Sequence, residues 1–199
     1  MMHRLSIPFA SVVAMFCITT SPVHGAPASL MDCAKVTGGI DQIVCSDEKL
    51  ATLDRKLVDV YAQASKAATT PAQKNRLAAD QQRWLETANR CTGAKDRNEC
   101  ARDTYLHRIA DLQAQFKLVA ARGPFHMVCN DKPSNVLSAQ FFETDPPTAR
   151  FTYDERAVTA FIARSGSGSR YEGPNVSYWE HQGEASVVWF GQTMKCRTR

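Results

Sequence analysis

Between residues 46 and 121, apolar side chains recur every three or four positions; from residue 125 onward they recur every second one. The first period is that of an amphipathic helix and the second that of a half-buried strand. After Ser46, a candidate N-cap, Leu50, Leu53, Leu57, Val60, Tyr61 and Ala64 share one helical face. A second start is written in Thr70-Pro71-Ala72-Gln73, which supplies a capping hydroxyl, a proline at the first helical position and a glutamine to close a capping box. Leu77, Trp84, Leu85 and Ala88 form its buried stripe. A third helix shows Tyr105, Ile109, Leu112, Phe116 and Val119 on one side. The polar segment between the last two is flanked by Cys91 and Cys100, so a bridge there would staple the turn. Cys33 and Cys45 offer a second staple ahead of the first helix. These features predict a small antiparallel helical bundle.

Gly123-Pro124 breaks the helical period and is read as the domain boundary. Beyond it, Phe125, Met127 and Cys129 alternate with His126 and Val128, and 157–162, 176–179 and 185–190 are further strands. Turns are expected at 131–134, 145–147, 154–156, 165–169 and 182–183. Many short strands at this spacing predict an antiparallel sandwich or barrel. Trp84 and Trp179 are both expected in cores. About 75 residues make a small core. A Cys129–Cys196 bridge would tie the first strand to the last, closing a loop of about 67 residues worth about 4 kcal/mol in a chain-entropy account.

The opening residues change the picture. Arg4 precedes an apolar run from Leu5 to Ile18, followed by Thr19-Thr20-Ser21-Pro22 and small residues to Gly25-Ala26. That order is a secretory signal, with cleavage near residue 25, and its apolar run is too short to span a bilayer. Cys17 follows Phe16, where lipoprotein signals carry a small residue, so no lipid anchor and no stable membrane insertion are expected. The division predicted is 1–25 leader, 26–122 helical domain and 123–199 β domain. Loss of the leader removes one of seven cysteines. The remainder, Cys33, Cys45, Cys91, Cys100, Cys129 and Cys196, reads as disulfides formed in an oxidising compartment, periplasmic or secreted. With no Cys-x-x-Cys and scattered histidines, no metal and no cofactor are expected. A net charge of +4 without a same-sign run gives no support for nucleic-acid binding.

The C-terminal half resembles the c-type lysozyme inhibitor family of MliC/PliC type. The resemblance is carried by Phe125-His126-Met127-Val128-Cys129, by Ser165-Gly166-Ser167-Gly168-Ser169-Arg170-Tyr171-Glu172, by Trp179 to Ala185, and by Met194-Lys195-Cys196. It implies an eight-stranded antiparallel barrel, and hence an α+β two-domain chain. It also implies that a loop serine, here Ser167, enters the lysozyme cleft and bonds the catalytic carboxyls. The family's assisting lysine falls on His181, a departure: lysine is charged at neutral pH, whereas histidine titrates near it. The N-terminal half is similar to the LprI-type lysozyme inhibitor N-terminal domain in the order of Cys33, Cys45-Ser46-Asp47, Leu50, Leu53-Asp54, Tyr61, Gln82, Trp84-Leu85, Cys91, Cys100, Tyr105, Arg108-Ile109 and Leu112.

These residue types suit that chemistry. A serine hydroxyl both donates and accepts, so Ser167 can serve a protonated or an ionised carboxyl. Gly166 and Gly168, with Ser165 beside them, keep the loop thin and able to turn. Arg170 or His181 can supply a charged donor, and Tyr171 a rigid amphipathic contact. Glu172, Glu180 and Glu184 are expected to be solvated rather than in contact with a basic partner. The partner implied is c-type lysozyme, and no catalysis is expected. A serine hydrolase would need a strand-to-helix Gly-x-Ser-x-Gly elbow, whereas Ser165-Gly166-Ser167-Gly168 lies among strands. The competing reading is a non-inhibitory cell-envelope or carbohydrate-binding module.

Overall fold

The computed structural model describes residues 32–198; the expected leader and cleavage site lie outside them. Four helices come first: α1 (Gly39–Cys45), α2 (Glu48–Ala67), α3 (Pro71–Asn89) and α4 (Arg97–Gln115). Each start has a local cause. The Asp47 carboxylate accepts from the backbone N–H groups of Lys49 and Leu50, so the cap of α2 is Asp47 and not Ser46. Those two bonds hold the Asp47 carboxyl below its usual range. Thr70 and Gln73 form the capping box of α3, with Pro71 in its first turn. Asp96 caps α4. The last helix ends at Gln115, so Val119 falls in the connection to the barrel and not on the third stripe.

Helix α1 was not anticipated. It buries Ile40, Ile43 and Val44 and is anchored by the Asn89 side chain, which accepts from the Ile40 N–H at 3.0 Å. Leu50, Leu57, Leu77, Ala88, Ile109 and Leu112 fill the bundle, and Trp84 meets Tyr105 edge-on at 5.0 Å. Two polar contacts lie within it. Tyr105 donates to Asp54 at 3.2 Å, and Arg108 gives two bonds to the side-chain oxygen Oε1 of Gln81 at 3.0 and 3.1 Å. Burial raises the Asp54 carboxyl above its ordinary value. The two staples expected in this half are present, as Cys33–Cys45 and Cys91–Cys100.

Eight antiparallel strands follow: β1 (Ala121–Cys129), β2 (Lys132–Phe142), β3 (Thr148–Tyr153), β4 (Arg156–Ala163), β5 (Ser169–Gly173), β6 (Val176–His181), β7 (Glu184–Trp189) and β8 (Gln192–Thr198). They pair in chain order and close into a barrel, so successive turns alternate between its two ends. Met127, Leu137, Phe151, Tyr178, Val187 and Met194 are among the side chains that fill it. The β1–β8 seam is short: Met127, Val128 and Cys129 pair with Thr198, Arg197 and Cys196, and the Cys129–Cys196 disulfide lies on the last of these pairs.

One turn reading is corrected by the backbone. The β1–β2 turn is Asn130-Asp131, both at φ 53°, a tight hairpin these residue types favour, so Lys132 and Pro133 already belong to β2. Gly123-Pro124 lies inside β1, at a register shift between Arg122 and Phe125. A Cβ on Gly123 would come within 2.7 Å of the Ala139 carbonyl, so close backbone approach explains this glycine. The two halves meet where α4 packs on β3 and β4, with the rings of His107 and Phe161 at 4.4 Å.

Candidate protein-binding site

The residues singled out for binding collect at one end of the barrel. The β4–β5 connection carries Ser165, Gly166, Ser167 and Gly168, and the neighbouring β6–β7 hairpin begins at His181 and turns through Gln182-Gly183. Register places Ser169 opposite Glu180 and Arg170 opposite Trp179, so the loop leans on the end of β6. Gly168 is the point of contact. It sits at φ +67°, and a Cβ there would lie 2.0 Å from the Glu180 carbonyl oxygen and 3.3 Å from the His181 Cα. Only glycine tolerates both conditions. Gly166 has open space around its Cα and serves no such need.

Two contacts give the loop its shape, and a third braces the indole that makes one of them. The Ser165 hydroxyl donates to the Ser167 carbonyl. The indole Nε1 of Trp179 donates to the same oxygen at 2.9 Å. The His181 ring stacks on the indole, 14° from parallel with centroids 6.1 Å apart. The Ser167 carbonyl is thus held twice, while its exposed hydroxyl takes no intramolecular bond among the described residues. A hydroxyl free to donate and to accept, on a main chain fixed from two sides, is pre-organised for a protein ligand.

Trp179 is the residue beside the loop that sequence reasoning misplaced. It is 42% exposed on the outer wall and not in the core. The parity of β6 carries the reason: Val176 and Tyr178 point inward, so Trp179, one position on, must point outward. Tyr171 is in the opposite position. Only 8% exposed, it packs inside the barrel with Phe141, 5.4 Å between ring centroids. Burial raises its phenol above the usual value. It supports the loop from within rather than sharing the exposed surface of Ser165, Gly166, Ser167, Gly168, Arg170 and His181.

The acidic residues around the site are engaged locally. Arg170 pairs with Glu172, Glu180 accepts from the Gly183 N–H at 2.9 Å, and Glu184 receives Arg197 and Lys195 at 2.8 and 3.3 Å. Hydrogen bonds from those two cations hold the Glu184 carboxyl below its ordinary value. Among the described residues no group of histidines, cysteines and carboxylates is arranged to hold a metal. No helix among them is long and apolar enough to cross a membrane.

Comparison with known proteins places this geometry. Residues 128–195 match the family model for the membrane-bound lysozyme-inhibitor of c-type lysozyme, MliC, a span that holds the whole loop-and-hairpin site. The chain is also 34% identical over 183 residues to lipoprotein LprI of Mycobacterium bovis and to the same-named protein of two Mycobacterium tuberculosis strains, covering 90% of this chain and 88% of theirs. That alignment takes in helices and barrel together. With similarity of that extent, the chain belongs to the LprI family, and its second domain is an MliC-type barrel.

Proposed function

We propose that this protein is an exported inhibitor of c-type lysozyme that seats its 165–168 loop in the enzyme's active-site cleft. The carrying observation is the free Ser167 hydroxyl on a carbonyl fixed by Trp179 and Ser165, inside the segment that matches the lysozyme-inhibitor model. A lysozyme cleft presents one protonated and one ionised carboxyl on either side of a sugar-sized slot. Ser167 answers either one, and the loop is thin enough to reach them because Gly166 and Gly168 add no side chain. His181, beside the loop, is the group available to donate to the ionised carboxyl. The action is stoichiometric occupation of the slot, with no bond made or broken. The site of action is the periplasm or the exterior, after removal of the leader near residue 25, where the disulfides form.

The test adds purified mature protein to c-type lysozyme acting on cell walls. Stoichiometric loss of lysis is expected, and Ser167→Ala should raise the inhibition constant at least tenfold, about 1.4 kcal/mol. An unchanged constant removes Ser167 from the mechanism, and full lysis at excess protein removes the function. Trp179→Phe keeps an aromatic ring under His181 but deletes the bond to the Ser167 carbonyl. A hydrogen bond of this kind is worth about 0.5–1.5 kcal/mol, so inhibition should weaken by roughly two- to tenfold. The thermal midpoint should barely move, because the indole is outside the core. A matched loss of stability would instead make Trp179 a structural residue.

A further inference from the structure

A concavity lies between the helices and the barrel, with a volume of about 1190 Å³. Its barrel side includes Asp154 and Glu155 of the β3–β4 turn, and Asn175 and Phe190 of the β5–β6 and β7–β8 turns. In a barrel whose strands run up and down in order, those turns occupy the end opposite the 165–168 loop. The two sites are therefore separate, and both can be filled at once.

The charged side chains that the helices bring to the cleft are paired, whereas those of the barrel make no salt bridge among the described residues. Asp80 lies 3.9 Å from Arg76 and also pairs with Arg83, while Asp111 holds Arg108 at 3.3 Å. Arg156 covers the Phe190 ring at 4.4 Å. Arg150, projecting from β3, makes a single side-chain bond, to Thr159 at 3.1 Å, and has no salt bridge among the described residues. Burial pulls this guanidinium below its ordinary value, Arg76 adds to the effect, and Asp111 opposes it only in part. A half-buried planar fork with unused donors, facing an open cleft, is a seat for a planar anion.

The rest of the lining narrows the ligand. Arginines and carboxylates line it in equal number, which disfavours a polyanion, and that many charges would be stripped of water by a lipid tail. Apolar surface from Phe161 and Val158 alternates with Thr104, Asn175 and the unpaired carboxylates of Asp154 and Glu155. Such a mixture suits a ligand with C–H faces and a rim of hydroxyl donors. The volume exceeds the roughly 300–1,000 Å³ of ordinary small-molecule pockets, leaving room for more than one ring. We propose that this interdomain cleft binds a saccharide bearing a single carboxylate, with Arg150 as the carboxylate's partner and Arg76 at its entrance.

Titration calorimetry on the mature full-length protein tests this with three probes: the disaccharide of N-acetylglucosamine and N-acetylmuramic acid, the N-acetylglucosamine dimer, and D-lactate. The first carries the carboxylate on a sugar, the second lacks it, and the third is the carboxylate without the sugar. The acidic disaccharide should bind at least tenfold more tightly than either of the others. Arg150→Gln should weaken it at least tenfold, and Arg76→Gln, on an exposed helix face, by a smaller factor with the fold intact. Equal binding of the neutral dimer, equal binding of lactate, no binding of the disaccharide, or an Arg150→Gln variant that binds normally would each overturn the proposal. Lysozyme inhibition by Arg150→Gln should stay at the parent level, so the outcome here is independent of the inhibitor reading.

Discussion

Replacing Cys129 and Cys196 together by alanine is expected to destabilise the barrel by about 4 kcal/mol, a fall of roughly 15–30 °C in its thermal midpoint. The estimate comes from the loop of 67 residues that the bridge closes. The position of the bridge explains why nothing else compensates. Most neighbouring strands share longer ladders, such as the six pairs from Glu184–Arg197 to Trp189–Gln192 between β7 and β8, while β1 and β8, like β4 and β5, share three. An eight-stranded barrel exists only if its first and last strands stay paired, and this joint has one of the two shortest ladders in the sheet. Alanine is the right replacement because both cysteines are fully buried and a serine would add an unpaired hydroxyl. Calorimetry of the double variant against the parent reads the effect directly. The bridges Cys33–Cys45 and Cys91–Cys100 close 12 and 9 residues, and their removal should cost about 3 kcal/mol or less. If the barrel variant melted within 5 °C of the parent, the seam would be held by its ladder and side chains rather than by the bridge.

The same features explain what could be read before any coordinates. Long, strongly periodic elements were legible because their signal is redundant: Leu50, Leu57, Val60, Tyr61 and Ala64 report one face several times over, and the Thr70–Gln73 capping box marks its own position. Helix α1 was missed because Gly39–Cys45 is too short to show a period and owes its place to tertiary contacts, Asn89 above all. The cap shifted from Ser46 to Asp47 because both residue types suit that role and only the geometry chooses between them. At the site, the loop and the hairpin were legible as motifs, but not the side from which each aromatic serves them. Tyr171 and Trp179 face each other's strands one register step apart, on opposite surfaces of the wall. A composition of tyrosine and tryptophan near a loop does not distinguish inside from outside; the parity set by Val176 and Tyr178 does. The interdomain cleft was not legible at all, since it joins α3 and α4 to turns distant in the chain, such as Asp154 and Phe190.

Gly168→Ala should do the most damage to the binding surface, a loss of roughly a hundredfold in lysozyme inhibition, about 2.7 kcal/mol. The new methyl would sit 2.0 Å from the Glu180 carbonyl oxygen, a backbone atom inside the β6–β7 ladder that cannot swing aside. A φ of +67° adds about 1–2 kcal/mol for any L side chain. The loop must therefore move off β6. Once it does, the Trp179 indole loses the Ser167 carbonyl, and the main chain that presents the Ser167 hydroxyl is no longer fixed. The barrel core below, with Tyr171, Phe151 and Tyr178 in place, should keep its circular dichroism spectrum. Gly166→Ala is the matched control. Its Cβ meets nothing within 4 Å, so it should leave the loop's geometry and the thermal midpoint unchanged. Loss of inhibition in the Gly168 variant with a native barrel spectrum would tie recognition to the loop's seat on β6. Retention of full inhibition would mean that the loop re-forms in the lysozyme cleft without that seat, and that pre-organisation by Trp179 contributes nothing to binding.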